Sequence, residues 1–243
     1  MCLVRGNINI YQKLCHEIRT HLHDSKATLT TTNTKTSPKQ QYQPGGTALI
    51  TRHQITTQTT MREYDAPYGR WSTIIIGPIQ HQIAIISAYI VCQTPISPLR
   101  HKTAAYQQWK LMSQNKENGH PRQKAVRDLI QYITTLKLRG HTILLILDAN
   151  TSRNQQKGII QQLKYTCALK EAIDTKNYKI PTLSKGKCQV DFIMCSTELH
   201  HHISFGAVQE FGEICGSDHR SLIIDISLKS YIKTSIQQQK LPI

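Results

Sequence analysis

The feature that most constrains the fold is a continuous apolar run that ends in a carboxylate. Residues 142–147 are β-branched or leucine, which predicts a strand buried on both faces of a sheet, and Asp148 follows at once. The preceding segment, 122–139, carries apolar residues on one helical face and stops at Gly140. A helix that leads into a doubly buried strand is typical of an α/β fold.

The remaining elements are read from the same kinds of pattern. Further strands are predicted at residues 47–50, 71–77, 83–89, 190–195 and 221–228, with a Gly77-Pro78 hairpin turn between the second and third. Further helices are predicted at residues 9–24, 106–116, 159–165 and 168–173. The polar stretch 25–43 is predicted to be a loop. We therefore expect one α/β domain over residues 1–228 and a polar, frayed tail over 229–243.

Polar side chains stand at the ends of three predicted strands. Asp148 and Asn150 follow the run 143–147, Asp191 opens the strand 190–194, and His219 precedes the strand 221–226. A buried strand is a costly place for a carboxylate unless the carboxylate is paired or binds a cation. The pattern predicts a functional site at the rim of a sheet.

These residue types suit the cleavage of a phosphodiester, which needs an aligned water and groups that hold the developing charge. Asp148 would orient or deprotonate the water, and Asn150 would donate to a phosphate oxygen. His219 would contact the scissile phosphate, and Asp191 behind it would fix the tautomer of the ring and raise its pKa. Asp218 would assist either the water or a metal ion, for which hard oxygen ligands favour Mg²⁺.

Each piece also has a structural interpretation. Asp148-Ala149-Asn150 is a common strand-to-loop cap, and an adjacent Asp and His is often a satisfied pair. The combination in this order favours a site. A zinc site made of residues 200–202 with Cys195 and Cys215 is an alternative, although the spacing fits no standard zinc pattern.

Charge and cysteine content limit the partners and the compartment. The net charge of +15 over 243 residues, with a pI of about 9.6, predicts attraction to polyanions, nucleic acid first. The seven cysteines form no Cys-x-x-Cys pair and are predicted to be free thiols. No apolar run is as long as a membrane span. We expect a soluble intracellular protein, with a nuclear location left open.

Four motifs in this order resemble the endonuclease/exonuclease/phosphatase superfamily. They are Ser87-Ala88-Tyr89, Leu147-Asp148-Ala149-Asn150, Val190-Asp191-Phe192-Ile193 and Ser217-Asp218-His219-Arg220. Within that superfamily the chain is similar to the apurinic-type endonuclease domains of non-LTR retrotransposons, to which residues 42–47 and 69–72 also correspond. The resemblance covers about residues 3 to 226.

The resemblance implies a two-sheet α/β sandwich flanked by helices, with phosphodiester hydrolysis at one rim. It implies dependence on Mg²⁺, or Mn²⁺ in its place, and DNA as the nucleic-acid partner. By motif position Tyr89 would contact phosphate, and Arg70 would brace the rim or bind substrate. Thr182 matches a position near the phosphate, and Asp218 would lie beside the metal.

Two departures from the family pattern stand at the start of the chain. The first strand of the family, which carries an active-site asparagine, is missing, so the resemblance implies an N-terminally truncated domain. Arg5 stands where the family has its metal-binding glutamate. A positive charge about 4 Å from a dication would cost roughly 4 kcal/mol per unit of charge at an effective dielectric of about 20.

Three functional hypotheses follow. The chain is a metal-dependent DNA endonuclease, whether fully active or crippled by these departures. Alternatively it is an inactive remnant that binds nucleic acid through its basic surface. A third hypothesis keeps the chemistry but replaces the substrate with a phosphorylated small molecule or lipid, which the high positive charge disfavours.

Overall fold

The structure is a computed structural model that describes residues 16–18, 20–30, 45–65, 68–152, 158–173, 180–213 and 217–232. The chain divides into two compact units, one with residues 1–77 and 84–129 and the other with residues 78–83 and 130–243. Arg5 and half of the helix predicted at residues 9–24 lie outside the described residues, whereas residues 16–18, 20 and 21 are helical.

Strands and helices are mixed along the described chain. The strands are β1 Ser25–Thr30, β2 Thr47–Arg52, β3 Thr59–Tyr64, β4 Trp71–Ile76, β5 Ile83–Tyr89, β6 Thr142–Asp148, β7 Leu169–Glu171, β8 Asp191–Ser196, β9 Ile203–Val208 and β10 Leu222–Ile226. The helices are α1 Gln54–Thr57, α2 Ala104–Gln114, α3 Pro121–Leu138, α4 Ile159–Thr166 and α5 Thr197–His200, with 3-10 turns at Ile79–His81 and Pro98–Arg100. Among the described residues, no helix is both long and apolar enough to cross a membrane.

The strands form a six-stranded central sheet in the order β3-β4-β5-β6-β8-β7 and two smaller sheets, β1-β2 and β9-β10. Helices and the small sheets flank the central sheet, so the predicted α/β class is confirmed. The link between β4 and β5 contains the 3-10 turn Ile79–His81 and is longer than the expected Gly77-Pro78 turn.

The β6–β8 pair forms the hydrophobic interior of the second unit. The strands are antiparallel, with Leu147 opposite Phe192 and Asp148 opposite Asp191. The side chains of Leu145, Leu147 and Phe192 are all at most 1 % exposed. The continuous apolar run therefore predicts β6 correctly, because a strand covered on both faces has no polar face to alternate with.

The prediction of a helix at residues 168–173 is wrong. Ala168 has φ 49°, in the left-handed region where a helix does not continue, and Leu169–Glu171 is β7. β7 pairs with β8, with Leu169 opposite Ser196. Pairing to an existing strand edge overrides the weak local preference for helix.

The prediction of a loop that begins at residue 25 is also wrong. Ser25–Thr30 is β1, which pairs antiparallel with β2, and residues 31–43 lie outside the described part of the chain. Thr28 and Thr30 are 6 % exposed, and the Thr28 hydroxyl accepts a hydrogen bond from Arg62. The polarity of the threonines favoured a loop prediction, whereas their β-branched side chains favour a strand.

The polar tail begins later than expected. Residues 228–232 are helical, and Tyr231 is 4 % exposed, with its hydroxyl 2.7 Å from Oγ1 of Thr142 at the start of β6. Residues 233–243 lie outside the described part of the chain. The second unit therefore extends past the predicted boundary at residue 228.

Candidate active site

Two carboxylates are brought together by the pairing of β6 with β8. Asp148 is the last residue of β6, Asp191 is the first of β8, and the two occupy opposite positions in the ladder. They are 2 % and 7 % exposed. The ladder continues one step, since the N–H of Ala149 donates to the carbonyl of Val190 over 2.8 Å. Directly opposed carboxylates repel one another, so both need a cation or a hydrogen-bond donor nearby.

The backbone of His219 is held against the segment 182–184. His219 forms an isolated antiparallel bridge with Leu183. On either side, the N–H of Ser184 donates to the carbonyl of Asp218 and the N–H of Arg220 donates to the carbonyl of Thr182, each over 2.8 Å. These bonds fix the imidazole beside the two carboxylates without any helix or long strand.

The imidazole of His219 pairs with Asp191, since Nδ1 lies 2.8 Å from Oδ2. This hydrogen bond raises the pKa of His219 above its usual value, and the charges of Asp191, Asp148 and Asp218 raise it further against the opposing effect of burial. When the Nδ1–H group donates its hydrogen bond to Asp191, Nε2 is the ring nitrogen that remains to contact a substrate. The predicted pairing of these two residues is therefore present.

Thr182 links the backbone segment that carries Asp191 to the one that carries His219. Its hydroxyl accepts hydrogen bonds from the N–H groups of Val190 and Asp191, over 2.9 and 3.1 Å, while its carbonyl accepts from Arg220. The residue is 0 % exposed. The resemblance places Thr182 near the phosphate. The contacts in the structure give its side chain a positioning role, for which the sequence alone carries no signal.

Asn150 and Asp218 flank the cluster. The N–H of Asn150 donates to Oδ1 of Asp148 over 3.0 Å, and Asn150 has φ 45°, which is a turn conformation that asparagine tolerates. The backbone of this motif therefore forms the strand-to-loop cap. The donation of the Asn150 side-chain amide to a phosphate oxygen stays a prediction. Asp218 is exposed, and the N–H of His219 donates to the hydroxyl of Ser217 over 3.0 Å.

Tyr89 and Arg70 belong to the other unit. Tyr89 ends β5, is half-buried, and its N–H donates to the carbonyl of Arg70 over 2.8 Å. Arg70 is 4 % exposed, and its guanidinium donates to Asp65 and, over 2.8 Å, to Asp128. It also lies 4.6 Å from the ring centre of Trp71. These contacts fit the predicted bracing role of Arg70, and its contact with substrate stays a prediction.

The donor set of the cluster fits a divalent cation. Asp148, Asp191 and His219 each offer a ligand atom, and these atoms all lie within 4.8 Å of one another. Two carboxylates supply the hard oxygen atoms that Mg²⁺ prefers, and His219 would add a nitrogen ligand only in its neutral form. Within the described ranges this is the one group of three such residues close enough to share a metal ion. Residues 200–202 of the alternative zinc site are not part of it, and Cys215 lies outside the described ranges.

Comparison with known proteins identifies the fold. No family model matches the sequence, and no curated protein does. The endonuclease domain of TRAS1, a telomere-specific non-LTR retrotransposon, is similar in structure, with a TM-score of 0.53, 13% identity and coverage of 90% of this chain and 92% of that one.

Two further solved structures agree with it. The 3'-5' exonuclease NExo from Neisseria meningitidis gives a TM-score of 0.58 at 11% identity, over 93% of this chain and 87% of that chain. The human Nocturnin catalytic domain gives 0.52 at 13% identity, over 90% of this chain and 76% of that one. At these identities the comparison establishes architecture. The chain has the endonuclease/exonuclease/phosphatase fold.

Proposed function

We propose that this protein hydrolyses phosphodiester bonds in nucleic acid with the help of a divalent metal ion. The observation that carries the proposal is the convergence of Asp148, Asp191 and His219, whose ligand atoms lie within 4.8 Å of one another. The fold is shared with an endonuclease domain and an exonuclease, which supports the same reaction class for this chain.

The geometry supports a distinct role for each residue. Asp148, buried at the end of β6, would align the attacking water and accept its proton. His219, oriented by its hydrogen bond to Asp191, would in its protonated form donate from Nε2 to an oxygen of the scissile phosphate and would not bind the metal. Asn150 would donate to the same phosphate. A bound divalent cation would supply charge stabilisation at the phosphoryl oxygen.

The finer assignment is a DNA endonuclease of the retrotransposon type that uses Mg²⁺, or Mn²⁺ in its place. The motif set of the sequence and the similarity to the TRAS1 domain support it. The net charge of +15 supports a polyanionic substrate over a small phosphorylated molecule.

One observation favours a second candidate, a protein that binds nucleic acid without cleaving it. Arg5 stands at the position where the resemblance places a metal-binding glutamate. The cluster in the described part of the chain has only two carboxylates, Asp148 and Asp191, to balance a dication. A basic surface would still retain nucleic acid under these conditions.

A nicking assay on supercoiled plasmid DNA tests the proposal, with Mg²⁺ and Mn²⁺ in separate reactions. We expect nicking that requires the metal and that His219→Ala and Asp148→Asn abolish. Salt-dependent DNA binding with no nicking under either metal would instead establish the second candidate. In that case Arg5→Glu tests the cause, because recovery of nicking would assign the defect to the lost glutamate.

A further inference from the structure

Helix α2 carries an aromatic pair on its exposed face. The rings of Tyr106 and Trp109 are 5.5 Å apart between centroids and tilted by 39°. Trp109 is 36% exposed, whereas the other tryptophan of the chain, Trp71, is 6% exposed. Tryptophan and tyrosine are enriched at binding interfaces, because each ring combines a large apolar body with a polar end.

The core does not need this pair. The opposite face of α2 is already buried, with Ala104 and Ala105 in a cluster with Val91 and with Leu111 and Met112 in a cluster with Tyr68. These residues already form the apolar face that an amphipathic helix buries against a core. Tyr106 and Trp109 therefore form an apolar surface beyond what folding of α2 requires.

Positive charges border the aromatic pair. Lys110 is exposed on the same face of the helix, four residues after Tyr106, and Lys102 is exposed in the turn that precedes the helix. Arg100 precedes the helix and is also exposed. The sequence of α2 contains no acidic residue. Rings flanked by cations suit a ligand that offers both flat apolar surfaces and negative charge.

The same helix packs beside a residue of the candidate site. Tyr89, which would contact phosphate, packs against the cluster that contains Ala104 and Ala105 in the first turn of α2. At about 1.5 Å per residue, Trp109 lies roughly 8 Å further along the helix axis than Ala104. This distance is about one or two nucleotides of an extended strand.

We propose that Tyr106 and Trp109, with Lys102 and Lys110, form a binding site for single-stranded nucleic acid on α2. The inference rests on the proposed function in taking nucleic acid as the ligand, and it adds a base-stacking platform on α2 for unpaired strand. Unpaired bases expose their faces to the rings, and the lysines pair with the phosphates. Bases in a duplex are already stacked on one another, so a blunt duplex binds without using the rings.

Tryptophan fluorescence tests this directly, because Trp109 is exposed and Trp71 is buried. The full chain is titrated with an unstructured oligothymidylate without divalent metal, so that no hydrolysis contributes. We expect salt-dependent quenching of the exposed tryptophan and none with a blunt hairpin duplex of equal charge. Binding is also followed independently by anisotropy of a labelled oligonucleotide.

Three variants separate stacking from general attraction. Trp109→Ala lowers affinity for the oligothymidylate by about tenfold. Trp109→Phe removes the signal but keeps most of the affinity, because a ring remains. Tyr106→Ala weakens binding while it keeps the reporter. Tyr165→Ala is the matched control, since Tyr165 is an aromatic residue on α4 that is 84% exposed, and it leaves affinity unchanged.

Unchanged affinity in Trp109→Ala, or equal quenching by the duplex, would overturn the site. Thermal melting of each variant confirms that the exposed substitutions leave the fold intact. Plasmid nicking is measured in parallel. A protein that binds through Trp109 but never nicks contradicts the proposed hydrolysis alone, and a protein that nicks while Trp109→Ala binds normally contradicts this site alone.

Discussion

His219 Nδ1 lies 2.8 Å from Oδ2 of Asp191, although the two residues are 28 positions apart in the chain. Two separate supports create this contact. Strand β8 carries Asp191, and the segment 182–184 carries the backbone of His219. The imidazole is therefore oriented before any substrate arrives, which is the condition for efficient charge stabilisation.

Loss of either reacting group is expected to stop cleavage. Asp148→Asn keeps the shape of the side chain but removes the proton acceptor, and His219→Ala removes the donor. Each change is expected to reduce the nicking rate by about 10² to 10⁴-fold, the usual contribution of a positioned acid or base. Nicking at the original rate in Asp148→Asn would remove Asp148 from the reaction. Lys170→Ala, at an exposed position of β7, is the control.

Asp191→Asn is expected to lower the pKa of His219, because its hydrogen bond to Asp191 is the largest cause of the raised value. NMR titration of the imidazole in metal-free protein measures the change. A raised folded pKa gives stability that is full below the unfolded pKa and is lost as pH rises through the folded pKa. The thermal stability of the native protein is therefore expected to fall as pH rises from the unfolded pKa of His219 through its folded pKa. In Asp191→Asn this pH-dependent loss of stability is expected to be absent. An unchanged imidazole titration would contradict the assignment.

Thr182 separates positioning from substrate contact. Thr182→Val leaves two buried N–H groups without their acceptor, and each lost partner costs about 1–3 kcal/mol. We expect a lower kcat with little change in KM and a lower pKa for His219. Thr182→Ser keeps the hydroxyl and is expected to retain most of the activity. A rise in KM alone in Thr182→Val would indicate direct contact with the phosphate instead.

Arg70 is expected to contribute to stability. Arg70→Ala leaves Asp65 and Asp128 without their shared cation, and loss of one partner of a buried pair costs about 3–5 kcal/mol. Urea unfolding measures the difference. Arg127→Ala is the matched control, because Arg127 is 73% exposed and 3.9 Å from the same Asp128, and it is expected to cost less than about 0.5 kcal/mol. Equal effects of the two changes would contradict the brace.

Cys195 is expected to resist thiol reagents in the folded protein. Burial raises its pKa to about 12, so roughly one molecule in 10⁴ carries the reactive thiolate at about pH 8. Cys188 is exposed and serves as the internal control. Mass spectrometry after timed labelling is expected to show Cys188 modified first and Cys195 modified only under denaturing conditions. Equal labelling rates in native buffer would show that the β8 interior opens readily.

The sequence predicts those parts of the fold whose burial requires a periodic or continuous pattern of apolar residues. Helix α3 and strand β6 were predicted because burial of one face or of both faces selects the residue types directly. Strands β3 and β9 were missed, because both are partly exposed and their patterns are weak. Strand β7 has only three residues and depends on the edge of β8 for its existence.

The candidate site divides in the same way. Asp148, Asp191 and His219 were found because each stands at the end of a predicted strand, where polar residues are costly without a purpose. The role of the Thr182 hydroxyl was not visible, because its partners are backbone N–H groups that have no sequence signature. Arg70 and Asp128 are 58 positions apart, and only tertiary packing brings them together.

The pairing of Asp148 with Asp191 makes assembly of the site depend on strand register. Side chains of a strand alternate between faces, so a slip by one residue would send the two carboxylates to opposite faces of the sheet. Because β6 is apolar on both faces, such a slip would expose few polar groups, and its cost would come from mispacked side chains in the core. Misfolded molecules would then retain native-like circular dichroism while lacking catalysis. Activity per chain, and not circular dichroism, would consequently measure the correctly folded fraction.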